Sequence, residues 1–475
     1  MQWSRFSHVY EVDGLAAVLN ALKLSPVYLG MDLYKQVSAA LSHPEETRNA
    51  LVEETLADLA ERGCIVSSLD DDERLLREVR SEILSTPRID TMYLVLSNDC
   101  NFACSYCFFH GNFPDRSPES KHMSIGTLDR ALELYRRCIA RAAGPEHAQP
   151  VEPSVVMYGG EPLLNPAGVR HAVERVHELK AQGLVPRNTQ MNINTNGSLM
   201  TREWAEFFRD YQIEVDVSLD GWREINDSCR RWRSGRGTYD VARHAVDILR
   251  AAGAQVYVSC TITEESVKLL PQIFSWMIDE LGITGLGFNP LLSSAHYHAP
   301  GAGYTESVAK ALLECYEIAR VRGVYEARIM RKIRAFVMGV VYDRDCCACG
   351  RQITVTPEGR VGVCHAYTGC GLFFTDLSEE LIVEEHPVWV EWAKRSPLFM
   401  SECLSCEAVG ICGGGCAYNS HMEHGSIWDI DTSFCTHSKM TLEWLVRDLY
   451  AQCSGAEGSP APVSAGSGVG PRQGV

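Results

Sequence analysis

The chain carries 19 cysteines in 475 residues, and two groups of them are spaced for metal chemistry. Cys100, Cys104 and Cys107 form C-x3-C-x2-C directly after an apolar run. Three thiolates on one loop can ligate three irons of a [4Fe–4S] cube and leave the fourth iron open to another ligand. On spacing alone, a zinc site or a set of buried thiols is the alternative. The second group, Cys403-x2-Cys406-x5-Cys412-x3-Cys416, fixes four positions and is the more specific, with Cys349 and Cys364 upstream and Cys435 downstream. Its alternative is a pair of zinc sites. The cysteine count is odd, so complete pairing within the chain is impossible. Without an export signal the thiols stay reduced, which makes metal ligation the leading account of so many.

Three further segments close apolar runs: Gly159-Gly160-Glu161-Pro162, Asn194-Thr195-Asn196-Gly197, and Ser218-Leu219-Asp220-Gly221 with Arg230 beyond it. Bare glycine backbone lets a ligand approach closely, and Glu161 can accept hydrogen bonds from an ammonium. A guanidinium fork at Arg230 suits a carboxylate. Arg231 and Arg233 crowd the same segment, so a solvated helix face is the alternative for Arg230. His365, directly after Cys364, is a candidate general base or a hydrogen-bond donor to a neighbouring group, against the alternative of an ordinary loop histidine. Cys64, Cys138, Cys229, Cys260, Cys315 and Cys453 have no ligand spacing and read as core or surface thiols.

The elements that must position these residues follow from periodicity. Runs at Met92–Leu96, Ser154–Met157, Gln190–Ile193, Ile213–Leu219, Gln255–Ile262 and Thr284–Phe288 read as strands with helical stretches between most of them. Six strands with crossover helices predict an α/β fold whose parallel sheet curves into a partial barrel, with ligand groups at the carboxyl ends of the strands. Before it, Ser7–Asp13 and Ala16–Leu22 read as a hairpin around Gly14, followed by helices near Met31–Leu41, Glu46–Arg62 and Asp71–Ile83. The predicted division is a small α+β domain at 1–85, the barrel at 86–335, a Cys- and Gly-rich domain at 336–453 of the kind held by metal, and a disordered Gly/Ser/Ala/Pro tail at 454–475.

With these motifs the chain resembles the radical S-adenosylmethionine (SAM) superfamily, in which C-x3-C-x-aromatic-C follows the first strand of a partial (βα)6 barrel; Tyr106 supplies the aromatic. The resemblance implies that Cys100, Cys104 and Cys107 hold the SAM-binding cluster. It implies that Gly159, Gly160 and Glu161 meet the SAM amino group, that Ser218 and Arg230 bind its carboxylate, and that Thr195 and Asn196 line the same cleft. Reductive cleavage of SAM would then give a 5′-deoxyadenosyl radical. The later cysteines match the SPASM pattern of radical SAM enzymes that modify peptides and proteins. By that likeness Cys403, Cys406, Cys412 and Cys435 bind one auxiliary [4Fe–4S] cluster, and Cys349, Cys364 and Cys416 contribute to another, three clusters in all. Cys346 is favoured slightly over Cys347 as the eighth ligand, and a vacant position that takes substrate is the other option.

The hairpin-then-helices order of residues 1–85 resembles the winged-helix element with which such enzymes grip a leader sequence, which would add a strand to the hairpin edge. A domain that only caps the barrel is the alternative. The resemblance therefore points to a peptide maturase that crosslinks a ribosomally made precursor through a thioether or carbon bond, with the auxiliary clusters accepting electrons and flavodoxin or ferredoxin donating them. Formylglycine formation in a sulfatase is the second reading, weakened because His365 stands where that family carries an aspartate base. A non-catalytic iron–sulfur redox protein is the third. A net charge of −17 argues against nucleic acid as partner, and no apolar run reaches membrane-spanning length, so the chain reads as a soluble cytoplasmic enzyme.

Overall fold

The computed structural model describes residues 1–43, 49–83, 86–111, 121–142, 152–292, 300–301 and 303–455. The amino-terminal module starts with a hairpin, β1 (Ser7–Val12) and β2 (Leu15–Asn20), paired antiparallel from Ser7↔Asn20 to Val12↔Leu15. Its two-residue turn puts Asp13 at φ +49° and Gly14 at φ +78°, the left-handed pair that lets a tight turn match strand twist. A third strand that periodicity missed, β3 (Val27–Gly30), pairs with β2. Helices follow at Met31–Ser42, Ala50–Glu61 and Leu69–Ser81. The second begins where the Asn49 side chain accepts from the Val52 amide at 2.9 Å, and residues 46–48 of its expected span lie outside the described residues. The third begins two residues early because Ser68 and Asp71 form a capping box.

This module packs on the cysteine-rich segment. Ala17, Leu19 and Leu24 share an apolar cluster with Ile411, Leu442, Leu445 and Val446. The Tyr28 hydroxyl donates to the Val446 carbonyl at 2.6 Å, and Arg80 donates twice to the Leu398 carbonyl, at 2.7 and 2.9 Å.

All six expected barrel strands are present, each within two residues of its expected ends: β4 (Thr91–Ser97), β5 (Ser154–Gly159), β6 (Gln190–Thr195), β7 (Glu214–Ser218), β8 (Gln255–Ile262) and β9 (Gly285–Pro290). They pair in sequence order and all in parallel, as strands joined by helical crossovers must. The sheet is larger than expected, with ten strands. On one side β10 (Tyr325–Glu326) extends it past β9. On the other, β11 (Gln352–Val355) pairs in parallel with β4, and β12 (Arg360–Gly362) and β13 (Phe374–Asp376) follow as an antiparallel meander. The cysteine-rich segment is thus built onto the barrel sheet. The helix Ala327–Met338 runs across the expected junction at 335/336. The last helix spans Thr432–Gly455, two residues into the expected tail, whose remainder lies outside the described residues. No helix among the described residues is long and apolar enough to cross a membrane.

One side chain locks the end of β4 to its neighbours. Asn165 caps the helix Pro166–Ala181 by accepting from the Gly168 amide at 3.1 Å, while its amide nitrogen donates to the carbonyls of Leu96 (3.0 Å) and Met123 (2.9 Å). Asn165→Ala removes a cap and the hydrogen bonds to two buried carbonyls, of which Leu96 keeps the Met123 amide, so it should lower stability by about 2 kcal/mol. Chemical denaturation followed by tryptophan fluorescence checks this; an unchanged midpoint would contradict it.

Candidate active site and cysteine centres

The loop that leaves β4 carries Cys100, Cys104 and Cys107 and is pinned from two sides. Beneath it, the end of β5 makes backbone contact: the Gly160 amide donates to the Ser97 carbonyl at 2.8 Å and the Glu161 amide to the Asp99 carbonyl at 2.9 Å. A Cβ on Gly159 would stand 2.2 Å from the Ser97 oxygen, and one on Gly160 2.3 Å from the Asp99 oxygen, so no side chain fits at either position. From above, the Ala103 and Ser105 amides donate to the carbonyls of Arg231 and Cys229 at 2.7 and 3.0 Å, and Phe102 packs edge-on against Trp232.

Glu161 is fully buried, and its carboxylate accepts from the Leu163 amide (3.0 Å), the Thr195 hydroxyl (2.8 Å) and the Asn196 amide (2.7 Å). Burial pushes its carboxyl up to about 7, against those three hydrogen bonds. Its carboxylate therefore ties the ends of β5 and β6 together, with its oxygens engaged by the chain itself. Asn196, placed by that bond, points its amide at Asn101 (2.9 Å) and at the Cys100 sulfur (3.7 Å).

Arg230 is not on a solvated face. It is 8% exposed and ends the helix Arg223–Cys229, and its Nε donates to Asp220 at 2.8 Å. Asp220 also accepts from the Tyr106 hydroxyl and, at 2.9 Å, from the Thr261 amide. The guanidinium lies 5.4 Å from the centre of the Tyr106 ring. Asp220, quoted only as part of a turn motif, is the residue that fixes both Tyr106 and Arg230, and nothing in its spacing marks that role. Arg233 by contrast is exposed and pairs with Asp99 at 2.6 Å.

These groups border one cavity of about 310 Å³, whose lining includes Cys100, Cys104, Cys107, Tyr106, Gly159, Gly160, Thr195, Asn196, Ser218 and Arg230 together with Cys346, Cys347, Cys364 and Cys416. His365 lines it too, in an aromatic box. Its ring stacks on Tyr93 with centroids 4.5 Å apart, and Tyr158 and Phe108 close the sides at 4.9 and 5.9 Å. Burial pulls its imidazole down to about 4, and Nδ1 has no hydrogen-bond partner among the described residues.

Cys403, Cys406, Cys412 and Cys435 line a second, small cavity together, which is the four-thiol set expected for one auxiliary cluster. The turn between Cys412 and Cys416 needs three consecutive left-handed glycines, Gly413, Gly414 and Gly415. The buried Arg395 guanidinium donates to the carbonyl of Gly415 at 3.3 Å and to the Ser420 hydroxyl at 3.0 Å. In the other set, burial and then the neighbouring thiols of Cys349, Cys416 and Cys364 push the Cys346 thiol up. Cys347 lines the same cavity; burial raises its thiol while Arg351 opposes, with Asp90 and Thr91 beside it. Cys370, which no spacing singles out, lies within electrostatic reach of Cys364. Among the described residues no three His, Cys, Asp or Glu side chains converge on one metal-ion position. Cys64, Cys138, Cys260 and Cys315 are buried, Cys229 is partly buried and Cys453 exposed, as expected of core and surface thiols.

Residues 94–274 match the family model of the radical SAM superfamily. The radical SAM cyclopropyl synthase TigE of Paramaledivibacter caminithermalis is 24% identical over 451 residues, covering 92% of this chain and 90% of that protein. The serine-type anaerobic sulfatase-maturating enzyme of Klebsiella aerogenes is 24% identical over 370 residues, 72% of this chain and 84% of that one. Among solved structures, Streptococcus suis SuiB bound to the precursor peptide SuiA shares the fold with a TM-score of 0.54 at 15% identity, covering 91% of this chain and 99% of that chain.

A methyl group at Gly160 must displace the Asp99 carbonyl and, 3.1 Å away, the Cys100 side chain. Gly160→Ala should therefore cost the protein about four irons after anaerobic reconstitution, one cube's complement, while the distant Cys403 set keeps its own. Iron analysis with Mössbauer spectroscopy reads this, and full iron content would show that the loop does not depend on that contact.

Proposed function

We propose that the chain, a radical SAM enzyme, is a peptide maturase that forms a new bond within a ribosomally made precursor. The observation that carries this reading is the single cavity joining Cys100, Cys104 and Cys107 to Cys346, Cys364 and Cys416. A site of hydrogen abstraction and an electron acceptor would open onto one chamber, as an oxidative bond-forming reaction requires.

In this reading Cys100, Cys104 and Cys107 hold a [4Fe–4S] cluster, Cys403, Cys406, Cys412 and Cys435 a second, and Cys346, Cys349, Cys364 and Cys416 a third. The clusters and S-adenosylmethionine supply, when bound, the electron and the 5′-deoxyadenosyl radical that removes a substrate hydrogen. The chain's residues position and exclude. Arg230, whose Nε is held by Asp220, presents the rest of its fork to a carboxylate, beside Ser218. Asn196 donates toward the Cys100 sulfur, and Glu161 acts as the positioning residue that aims it. Tyr93, Tyr158 and Phe108 keep water from the reacting carbon. Nδ1 of His365, buried in that box, is placed to accept the proton released as the substrate is oxidised.

Two observations favour a precursor peptide over a sulfatase. The relatives matched over nine-tenths of the chain are TigE and SuiB, the latter bound to a precursor peptide, whereas the sulfatase-maturating enzyme matches 72%. His365 also occupies the place of the sulfatase-type aspartate base. The cyclopropyl synthase adds formation of a cyclopropyl ring to the thioether and carbon crosslinks that the same radical chemistry could give. The leader would add a strand to β1, an edge of the three-stranded sheet with no further strand beside it among the described residues. A small donor such as flavodoxin or ferredoxin would reduce the clusters.

Three measurements follow. Coexpression with the short reading frames neighbouring the gene, then mass spectrometry, should show a precursor that has lost two hydrogens, and an unmodified set of candidates would contradict the reading. Cys346→Ser should remove about four irons, whereas Cys347→Ser should leave the iron content intact; the opposite pattern would reassign the eighth ligand. Hydrogen exchange on the full chain should show slower exchange across Ser7–Val12 when the precursor binds, and no change there would remove the recognition role.

A further inference from the structure

The lining of the main cavity is strongly basic. Arg328, Arg331, Arg344 and Arg351 border it, and Asp345 is the one carboxylate among its lining residues. In a chain of net charge −17 this runs against the overall field. Most of these guanidinium groups have an assigned partner. Arg351 pairs with Asp90 at 2.5 Å, Arg344 pairs with Asp343 at 2.5 Å, and Arg331 reaches the Asp345 carbonyl at 3.4 Å.

Arg328 differs. Its Nε donates to the Phe288 carbonyl at 2.9 Å, one terminal nitrogen lies 3.5 Å from the Asn289 side-chain oxygen, and the guanidinium stacks 5.2 Å from the Phe434 ring centre. No carboxylate stands within ion-pair distance of it among the described residues, and the other terminal nitrogen has no acceptor there. Glu326 is the nearest acid in sequence, but it spends both oxygens on the amides of Arg328 (2.9 Å) and Ile329 (2.7 Å) as a helix cap. A guanidinium in a confined, largely desolvated wall is stabilised by an anion, and its planar fork matches a carboxylate in two-point contact.

We infer that Arg328 binds a substrate carboxylate, so that the modified residue lies next to an acidic group of the peptide. This rests on the peptide-maturase reading and narrows its substrate class. The carboxylate has two possible sources, an Asp or Glu side chain or the peptide's own carboxyl terminus, and the test separates them.

The reconstituted, SAM-loaded full chain is immobilised, and three pools of synthetic peptides of random sequence are passed over it in frontal affinity chromatography. One pool has a fixed central Asp and an amidated terminus, one a central Asn and an amidated terminus, and one a central Asn and a free terminal carboxylate. A carboxylate-bearing pool should be held about tenfold more tightly than the neutral pool, the scale of one charge-assisted contact. That preference should fall to about twofold or less in Arg328→Met and recover in part in Arg328→Lys, which also guards against a merely misfolded variant. Equal retention of all three pools by the native protein, or a preference that survives Arg328→Met, overturns the inference while leaving the peptide reading in place. A preference that survives together with a shifted auxiliary-cluster potential assigns Arg328 to balancing cluster charge and also overturns it. Retention of none of the pools overturns the peptide reading itself.

Discussion

The site depends on strand Thr91–Ser97 being hydrogen-bonded along both edges. On one edge it pairs with Ser154–Gly159, whose last glycine and the next one seat the Cys100 loop. On the other it pairs with Gln352–Val355, which is flanked by Cys349 and by the hairpin leading to Cys364. The pairing with Gln352–Val355 is parallel and the next strand runs back antiparallel, so Cys349 and Cys364 lie by the amino end of Thr91–Ser97 while the Cys100 loop leaves its carboxyl end. The join is reinforced where the strand begins. The amides of Asp90 and Thr91 both donate to the Arg351 carbonyl at 3.0 Å, the Arg88 amide donates to the Gly350 carbonyl at 2.7 Å, and Arg351 returns an ion pair to Asp90. Slipping either pairing by one residue would turn every side chain over and separate the two cysteine sets.

Much of this was legible in the residues. The barrel strands bury most of their apolar residues and are bounded by helix-forming segments, the pattern that periodicity reads best, and the barrel motifs fall just past strand ends. The three strands of the cysteine-rich segment escaped notice because they are only four, three and three residues long and sit among Cys and Gly. Val27–Gly30 is short for the same reason. At the site, spacing could identify Glu161 as functional but not what its oxygens touch. They are consumed within the chain, which makes it a brace between two strand ends. For Arg230 the sequence left a carboxylate-binding fork and a solvated face both open; only the fold brings Asp220 to it. Cys346 and Cys347 both line the main cavity, so neither spacing nor lining separates them.

Electrostatics explains how an acidic chain keeps so many thiols in its interior. Burial is the largest influence on these cysteines and raises Cys100 to about 12 and Cys104 to about 11. Guanidinium groups oppose it locally: Arg230 beside Cys104, Arg395 and Arg344 beside Cys349, Arg351 beside Cys347. At Cys104 and Cys349, the two of these proposed as ligands, fixed positive charge favours the thiolate form and would offset the negative charge of a ligated cluster. Arg395 shows the economy of the arrangement, since the same buried group that stabilises thiolate charge at Cys349 also donates to the Gly415 carbonyl.

The central claim is that a radical made at the Cys100 loop acts directly on a peptide within the shared cavity. The most direct measurement is hydrogen transfer from a precursor deuterated at its carbon-bound positions, followed in the 5′-deoxyadenosine produced by the reconstituted, reduced enzyme. The account predicts deuterium in that product, in step with loss of deuterium from the modified residue. 5′-Deoxyadenosine that forms without deuterium while the peptide is converted, or conversion with no 5′-deoxyadenosine at all, would contradict it.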